Sequence, residues 1–299
     1  MVPRIDPNNM ADIITTLINE IGPGHMASTA YDTAWAARLD EIAPSISASA
    51  LAWLTKNQLP DGTWGAPAPM YYHDRVVCTL AAMIALERRG HREADKEQII
   101  KGKLALERIV SEATGGLSSD PNGATVGFEM IAPTLVAEAE NLGLIKNQAN
   151  RILGRISKQR AVKLAYLKDN MISRHVTMAF SAEMAGVDGK HMLDLDYLQE
   201  SNGSVGVSPS ATAYFATYIK KGDEAALAYL RNTMKADGSF PNVAPFDVFE
   251  IGWALWNLSL IPGLAQHAKL KPHLDFLSTA WVPKRGVGFA AGYTVKDSD

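Results

Sequence analysis

The stretch Gln58-Leu59-Pro60-Asp61-Gly62-Thr63-Trp64-Gly65 is a turn motif whose pattern returns twice later in the chain. It recurs more weakly as Gln199-Glu200-Ser201-Asn202-Gly203-Ser204-Val205-Gly206 and again as Lys235-Ala236-Asp237-Gly238-Ser239-Phe240. Each copy places Asp or Asn before Gly, which suits a turn with positive φ, and a hydroxyl residue follows. The repetition predicts helical hairpins that close into an α-toroid; the alternative is three unrelated turns between helices.

Around these turns, apolar residues recur at helical spacing. Ile14, Leu17 and Ile18 share one face, and the apolar stretch 74–88 is typical of a buried helix. Further helices are predicted over 126–142, 210–218, 224–234, 248–260 and 274–281. Alternation of apolar and polar residues, the mark of a half-buried strand, is nearly absent, so the predicted fold class is all-α.

Composition excludes several classes of protein. The 299 residues include 29 Lys and Arg against 32 Asp and Glu, a net charge of −3 that argues against a nucleic-acid partner. The apolar share of 47% supports a sizeable core, and the single cysteine excludes an internal disulfide. No apolar stretch is long enough for a membrane span, and the first residues lack a secretion signal. We therefore expect a soluble, cytoplasmic protein.

Several motifs resemble, in order, those of the class II diterpene cyclases. Ser28-Thr29-Ala30-Tyr31-Asp32-Thr33-Ala34-Trp35 is similar to the signature near the start of that family, and the Gln58–Trp64 turn resembles its Gln-Trp repeat. Three further matches are the segments 125–129, 193–196 and 203–214, and a last one covers 249–256. The resemblance extends over nearly the whole chain.

This resemblance implies two helical barrels, β and γ, with the γ barrel inserted after the first helix of β. Residues 1–24 would be that first β helix, residues 25–265 the γ barrel, and residues 266–299 the start of the resumed β barrel. The chain would then end inside the family's Asp-x-Asp-Asp motif. We accordingly expect the 299-residue chain to be nearly inactive alone, because the missing wall would leave the pocket open to water.

The resemblance also implies which residue is the catalytic acid. Class II cyclisation begins with protonation of an alkene, a very weak base, so it needs a strong acid in a dry pocket. Matched to the family motif, Asp299 is the proton donor and Asp297 its partner carboxylate. Without the resemblance, these residues would be interpreted as a solvated chain terminus.

The diphosphate end of the substrate would need cations. Lys163, in the dipeptide Lys163-Leu164, matches the lysine that the family assigns to the diphosphate, and Arg174 is a second candidate. Glu129 matches an acidic residue that holds Mg²⁺ in the family, with Asp120 as a substitute for the second position. The alternatives are an exposed helix charge for Lys163 and a buried, paired glutamate for Glu129.

Phe180 stands where plant relatives place a histidine of a water-holding base pair. Its aromatic face could stabilise a passing carbocation and so shape the product, or the ring could simply pack. Asp32 and Thr33 are interpreted as helix-capping residues with a structural role, and Asp194 and Asp196 as caps at the start of a helix.

Together these features predict a class II diterpene cyclase. It would convert geranylgeranyl diphosphate to a bicyclic diphosphate, of the halimadienyl or copalyl type, with Mg²⁺. The alternative is a non-catalytic γ-type subunit that binds a prenyl diphosphate or pairs with a separate β-barrel partner.

Overall fold

The computed structural model describes residues 10–90, 92–111, 117, 124, 127–146, 148–154 and 156–296. The chain divides into two compact units: Ala27–Ala244, and Met1–Met26 together with Pro245–Asp299. Within the described residues the secondary structure is mainly helical, as the sequence predicts. None of the described helices is both long and apolar enough to cross a bilayer.

The larger unit is built from helices joined by short turns. Its elements are β1 Ser28–Thr29, α2 Ala30–Ala36, α3 Pro44–Lys56, α4 Tyr72–Arg89, α5 Glu93–Ser111, α6 Phe128–Asn141, α7 Gln148–Leu153, α8 Ile156–Tyr166, α9 Pro209–Tyr214, α10 Glu224–Thr233 and β2 Phe240–Pro241. A 3-10 helix covers Thr177–Ala185, and α9 continues into a π-helical turn at Phe215–Ile219. α4 is the buried helix that the sequence predicts, since most of its side chains from Val76 to Leu86 are buried.

The three repeated turns have the same hydrogen bonds. In each, a side-chain oxygen accepts from the backbone N–H and the hydroxyl two residues later: Asp61 from Thr63, Asn202 from Ser204 and Asp237 from Ser239, at 2.6 to 3.1 Å. The glycine of each turn has a φ of 87°: Gly62, Gly203 and Gly238. This conformation favours glycine, so the shared pattern in the sequence reflects a shared backbone structure.

The turns also dock in the same way. The residue after each hydroxyl donates its backbone N–H to a buried threonine of an inner helix: Trp64 to Thr79, Val205 to Thr212 and Phe240 to Thr33, at 2.9 to 3.0 Å. The last of these pairs joins the end of the unit to its first helix, α2, and β1 pairs antiparallel with β2 beside it. The unit is therefore a closed ring of helices, and the predicted α-toroid is confirmed.

The smaller unit contains α1 Met10–Glu20, α11 Asp247–Ser259 and α12 Lys271–Ala280. Its apolar cluster joins Ile18 of α1 to Ile251, Leu255 and Leu258 of α11. The predicted division after residue 24 lies close to the observed one after Met26. The second division comes after Ala244, not after residue 265, because α11 packs with α1. The assignment of the two units to γ and β barrels stays a prediction.

The prediction that a helix begins at Asp194 is wrong. The segment from Asp194 to Tyr197 forms a turn in which Asp194 accepts the backbone N–H of Tyr197. The backbone N–H of Asp194 donates to the carbonyl of Ile172 at 2.8 Å. A contact with a distant part of the chain thus replaces the helical hydrogen bonds that the acidic residues would have capped.

Candidate functional site

The start of α6 presents a buried carboxylate. Gly127, with a φ of 86°, turns the chain into the helix, and Phe128 packs edge-on against His73 with ring centroids 4.8 Å apart. Glu129 follows in the first turn and is only 8% exposed. A negative side chain is favourable there, because the N-terminal end of a helix carries partial positive charge.

Lys163, in the last turn of α8, donates its ammonium to Oε1 of Glu129. The lysine side chain is 46% exposed, whereas that of Glu129 is 11% exposed. The structure therefore brings together two residues that lie on different helices and were selected for different roles, one for the diphosphate and one for the metal. The pair combines an accessible cation with an oxygen ligand, the two kinds of group that a metal-bound diphosphate requires.

The fit to Mg²⁺ rests on Glu129. Mg²⁺ is usually held by one or two carboxylates together with substrate phosphates and waters, so a single carboxylate can suit it when a substrate supplies phosphate oxygens. Asp120, the other predicted metal ligand, lies outside the described residues. Among the residues that the structure describes, the His, Cys, Asp and Glu side chains form no group of three or more that could hold a metal ion.

Arg174 has different neighbours. Its Nη1 donates to the carbonyl of Gln199 at 3.1 Å, and its guanidinium lies 5.6 Å from the ring of Tyr197. Its backbone N–H donates to the carbonyl of Tyr197 at 2.8 Å. These contacts tie the segment around Arg174 to the start of the second repeated turn. Its role as a second diphosphate ligand stays a prediction.

Phe180 lies half-buried in the 3-10 helix Thr177–Ala185. Gly206, with a φ of 58°, approaches its backbone so closely that an added Cβ would lie 2.6 Å from the Phe180 Cα and N. The position of Phe180 is thus set by a backbone contact with the second repeated turn. The two predicted catalytic residues, Asp297 and Asp299, lie outside the described residues, so their role also stays a prediction.

A cluster of buried acids inside the larger unit was not identified from the sequence as a site. Asp32 accepts hydrogen bonds from the Thr29 hydroxyl at 2.6 Å and from the Ser210 backbone N–H at 3.1 Å. Glu183 accepts from the Tyr31 hydroxyl at 2.8 Å and from the Ser210 hydroxyl at 3.3 Å. Ser210 therefore bridges the two carboxyl groups, and Thr29, not Asp32, is the N-cap of α2. The prediction that Asp32 and Thr33 cap the helix is therefore wrong: both lie inside α2, where the Asp32 backbone N–H and the Thr33 hydroxyl donate to Thr29.

Burial raises the pKa of Glu183 to about 8, and the nearby Asp32 adds to this rise, while hydrogen bonds oppose it. Burial likewise raises the pKa of Asp32 to about 6. A raised pKa makes a carboxyl group a weaker acid, whereas protonation of an alkene needs a strong one. With Glu183 only 1% exposed, the cluster fits a structural role, holding together the segments at 29–32, 183 and 210.

Sequence comparison relates the chain to named cyclases. It is 47% identical over 290 residues to the type B diterpene cyclase of Mycobacterium tuberculosis, covering 95% of this chain and 58% of that protein. It is 32% identical over 299 residues to an ent-copalyl diphosphate synthase of rice, covering 97% of this chain and 33% of that protein. The chain thus spans little more than half of the mycobacterial relative and a third of the rice relative. No family model matches the chain.

Solved structures agree with the sequence comparison. The ent-copalyl diphosphate synthase of Arabidopsis thaliana, in complex with (S)-15-aza-14,15-dihydrogeranylgeranyl thiolodiphosphate, has a TM-score of 0.77 and 28% identity, covering 97% of this chain and 41% of that one. The ent-copalyl diphosphate synthase of Streptomyces platensis has the same fold, with a TM-score of 0.65 and 22% identity over 96% of this chain and 57% of that one. The resemblance seen in the sequence motifs is confirmed.

Proposed function

We propose that this chain, which is related in sequence and in fold to the class II diterpene cyclases, forms the diphosphate-binding side of such an enzyme. The substrate would be geranylgeranyl diphosphate, and the product a bicyclic diphosphate of the halimadienyl or copalyl type. The contact between Lys163 and Glu129 carries the proposal, because it unites the predicted diphosphate and metal ligands at one place. The relatives are named as enzymes, which favours this function over a non-catalytic subunit.

In this proposal the Lys163 ammonium binds a diphosphate oxygen and exchanges part of its contact with Glu129 for it. Glu129 would hold Mg²⁺, with Asp120 as a further ligand, and the ion would neutralise the charge of the diphosphate. Holding the diphosphate in this way keeps it attached to the substrate, so reaction begins at the far end of the polyene. Asp299, with Asp297 beside it, would protonate the terminal alkene there.

Phe180 would then act on the cation that forms after protonation. An aromatic face can stabilise a nearby positive charge, whereas a phenyl ring has no group that accepts a proton or orients a water. This favours a bicyclic cation that rearranges before it loses a proton. The Gly206 contact supports the proposal, because it fixes the backbone from which the Phe180 ring projects.

An exposed aromatic face on α11 of the smaller unit suggests that further helices pack there. On α11, Phe249 stacks with Trp253 at a centroid distance of 6.1 Å, and Trp253 and Trp256 are 61% and 63% exposed. Large exposed aromatic patches usually mark interaction surfaces. We propose that further β-barrel helices pack on this face, whether they belong to the same polypeptide or to a partner.

Titration of geranylgeranyl diphosphate into the chain, in the presence of Mg²⁺, tests the site. Lys163→Gln should weaken binding about tenfold, the typical worth of a charge-assisted hydrogen bond. The matched control is Lys158→Gln, an exposed lysine on the same helix, which should bind within about twofold of wild type. Because Lys163→Gln alone leaves the buried Glu129 unpaired, the double variant with Glu129→Gln separates a folding defect from lost binding. Equal affinity in wild type and Lys163→Gln would remove Lys163 from the site.

A further inference from the structure

The segment that carries Phe180 is bent directly after that residue. Within the 3-10 helix Thr177–Ala185, Ser181 has a φ of −122° and a ψ of 39°, which is not a helical conformation. A regular helix fixes the direction of its side chains through its own hydrogen bonds, and a bend interrupts them. The direction in which Phe180 projects therefore depends on contacts with other parts of the chain.

One short stretch contacts this segment on both sides of the bend. Before the bend, Gly206 lies against the backbone of Phe180, where an added Cβ would be 2.6 Å from the Phe180 Cα and N. After the bend, the Ser210 hydroxyl donates to Oε1 of Glu183 at 3.3 Å. Because Gly206 and Ser210 are close neighbours in the sequence, the bend is held on both sides by one part of the fold.

Glu183 has a second anchor on α2. The Tyr31 hydroxyl donates to the same Oε1 at 2.8 Å, and Glu183 is only 1% exposed. The other carboxyl oxygen, Oε2, is buried without a hydrogen-bond partner among the residues that the structure describes. Oε1 therefore carries both hydroxyl contacts, and loss of either donor should loosen the attachment of Glu183.

The charge state of Glu183 defines a conservative replacement. Burial raises the pKa of Glu183 to about 8, so near pH 7 the side chain is mainly the neutral acid. Glutamine is also neutral and of the same length, and its carbonyl oxygen can accept from the same two hydroxyls. Alanine has no acceptor and would leave both donors unpaired.

We propose that Glu183 is a positioning residue for Phe180: held by Tyr31 and Ser210, it fixes the bend from which the aromatic ring projects toward the substrate. This inference rests on the proposed role of Phe180 in steering the cation. A group that meets the substrate needs supporting contacts that hold its geometry. Glu183 would thus affect which product forms without touching the substrate.

A fluorine label on the ring tests the proposal in the 299-residue chain without substrate. With para-fluorophenylalanine placed only at position 180, the protein has a single fluorine resonance, which reports the surroundings of that ring. Near pH 7, Glu183→Ala and Tyr31→Phe should each shift or broaden the resonance by more than its linewidth, because each removes a hydrogen bond at Oε1. Glu183→Gln, which keeps the acceptor, should leave the resonance within its linewidth.

Asp95→Asn is the matched control. Asp95 is a buried carboxylate on α5, 2% exposed, that accepts the Arg92 backbone N–H at 3.0 Å. Its replacement shows what a general loss of stability does to the resonance, and we expect no shift.

A shift in Glu183→Ala and Tyr31→Phe, with Glu183→Gln and Asp95→Asn unchanged, would support the proposal. Three results would overturn it: an unchanged resonance in both Glu183→Ala and Tyr31→Phe, a shift in Glu183→Gln as large as in Glu183→Ala, or an equal shift in Asp95→Asn. Circular dichroism checks the fold of each variant, and if Glu183→Ala does not fold, Tyr31→Phe compared with the control decides. Because the measurement needs no turnover, its failure is separate from a failure of the proposed function, which the titration with geranylgeranyl diphosphate tests.

Discussion

At the scale of single residues, the buried acids Asp32 and Glu183 connect parts of the chain that are far apart in sequence. The Tyr31 and Ser210 hydroxyls donate hydrogen bonds to Glu183, and the Ser210 backbone N–H donates to Asp32. The family-like motifs at 28–35 and 203–214 therefore meet at one place, together with Glu183 of the 3-10 helix. Each motif can be recognised separately in the sequence, but only the tertiary structure shows that the motifs are joined by hydrogen bonds.

Glu183→Gln should change how stability depends on pH. An acid whose pKa is raised in the folded state binds more protons there than in the unfolded state, so its contribution is complete below the unfolded pKa and is lost as pH rises. For Glu183 this window runs from its ordinary pKa of 4.5 to the folded-state pKa of about 8. The wild type should lose up to about 1.4 kcal/mol of unfolding free energy per pH unit across it.

Urea unfolding at several pH values between 5 and 8 is the measurement. In Glu183→Gln, the part of the slope of unfolding free energy against pH that comes from Glu183 should disappear, because glutamine does not titrate. Glu97→Gln, at an exposed position, is the control and should keep the wild-type slope. If Glu183→Gln keeps that slope as well, the buried carboxyl is not the group that titrates.

Gly206→Ala should destabilise the larger unit far more than Gly143→Ala. Both glycines have positive φ, 58° and 68°, so alanine is strained at each. At Gly206 the new Cβ would also meet the Phe180 backbone at 2.6 Å, whereas at Gly143 no heavy atom of the described residues lies within 4 Å. We expect the free energy of unfolding to fall by about 1 kcal/mol in Gly143→Ala and by more than about 2 kcal/mol in Gly206→Ala. Urea unfolding measures both losses. Equal losses would mean that the contact with Phe180 is not tight.

At the scale of elements, the repeated turn was predictable because its determinants are local. Asp or Asn, then Gly, then Ser or Thr specify the turn within a few residues, and the structure repeats the same hydrogen bonds. The contact of Glu129 with Lys163 was not predictable in this way. The two residues could be selected from the family resemblance, but their proximity depends on how α8 packs beside α6.

The division after Ala244 could not be predicted from the sequence either. The pattern of α11 indicates a helix, but it does not indicate that this helix packs with α1.

Thr33→Val should weaken the closure of the ring. The Thr33 hydroxyl accepts the Phe240 backbone N–H at 3.0 Å, and both residues are buried, so valine would leave that donor unpaired. We expect a loss of about 1–3 kcal/mol in the free energy of unfolding. Thr55→Val is the matched control, since the Thr55 hydroxyl donates within its own helix, to the Ala52 carbonyl. Its loss of unfolding free energy should be below about 1 kcal/mol. A loss for Thr33→Val as small as that of the control would show that this docking contact does not hold the ring closed.

At the scale of the whole molecule, the chain matches only part of its relatives. It covers 58% of the mycobacterial cyclase, and α11 exposes Trp253 and Trp256. Joining this chain to the part of the mycobacterial relative that it does not match should provide helices to cover that face. The fusion is therefore the form in which the proposed chemistry can be measured directly.

The measurement is the fate of the diphosphate when the fusion is incubated with geranylgeranyl diphosphate and Mg²⁺. If Lys163 and Glu129 hold the diphosphate while an acid protonates the alkene, the product is a bicycle that keeps its diphosphate, and no pyrophosphate is released. Asp299→Asn should abolish this conversion, since an amide cannot protonate carbon. Release of pyrophosphate in step with product, or turnover by Asp299→Asn within about threefold of wild type, a difference under about 1 kcal/mol, would contradict the account.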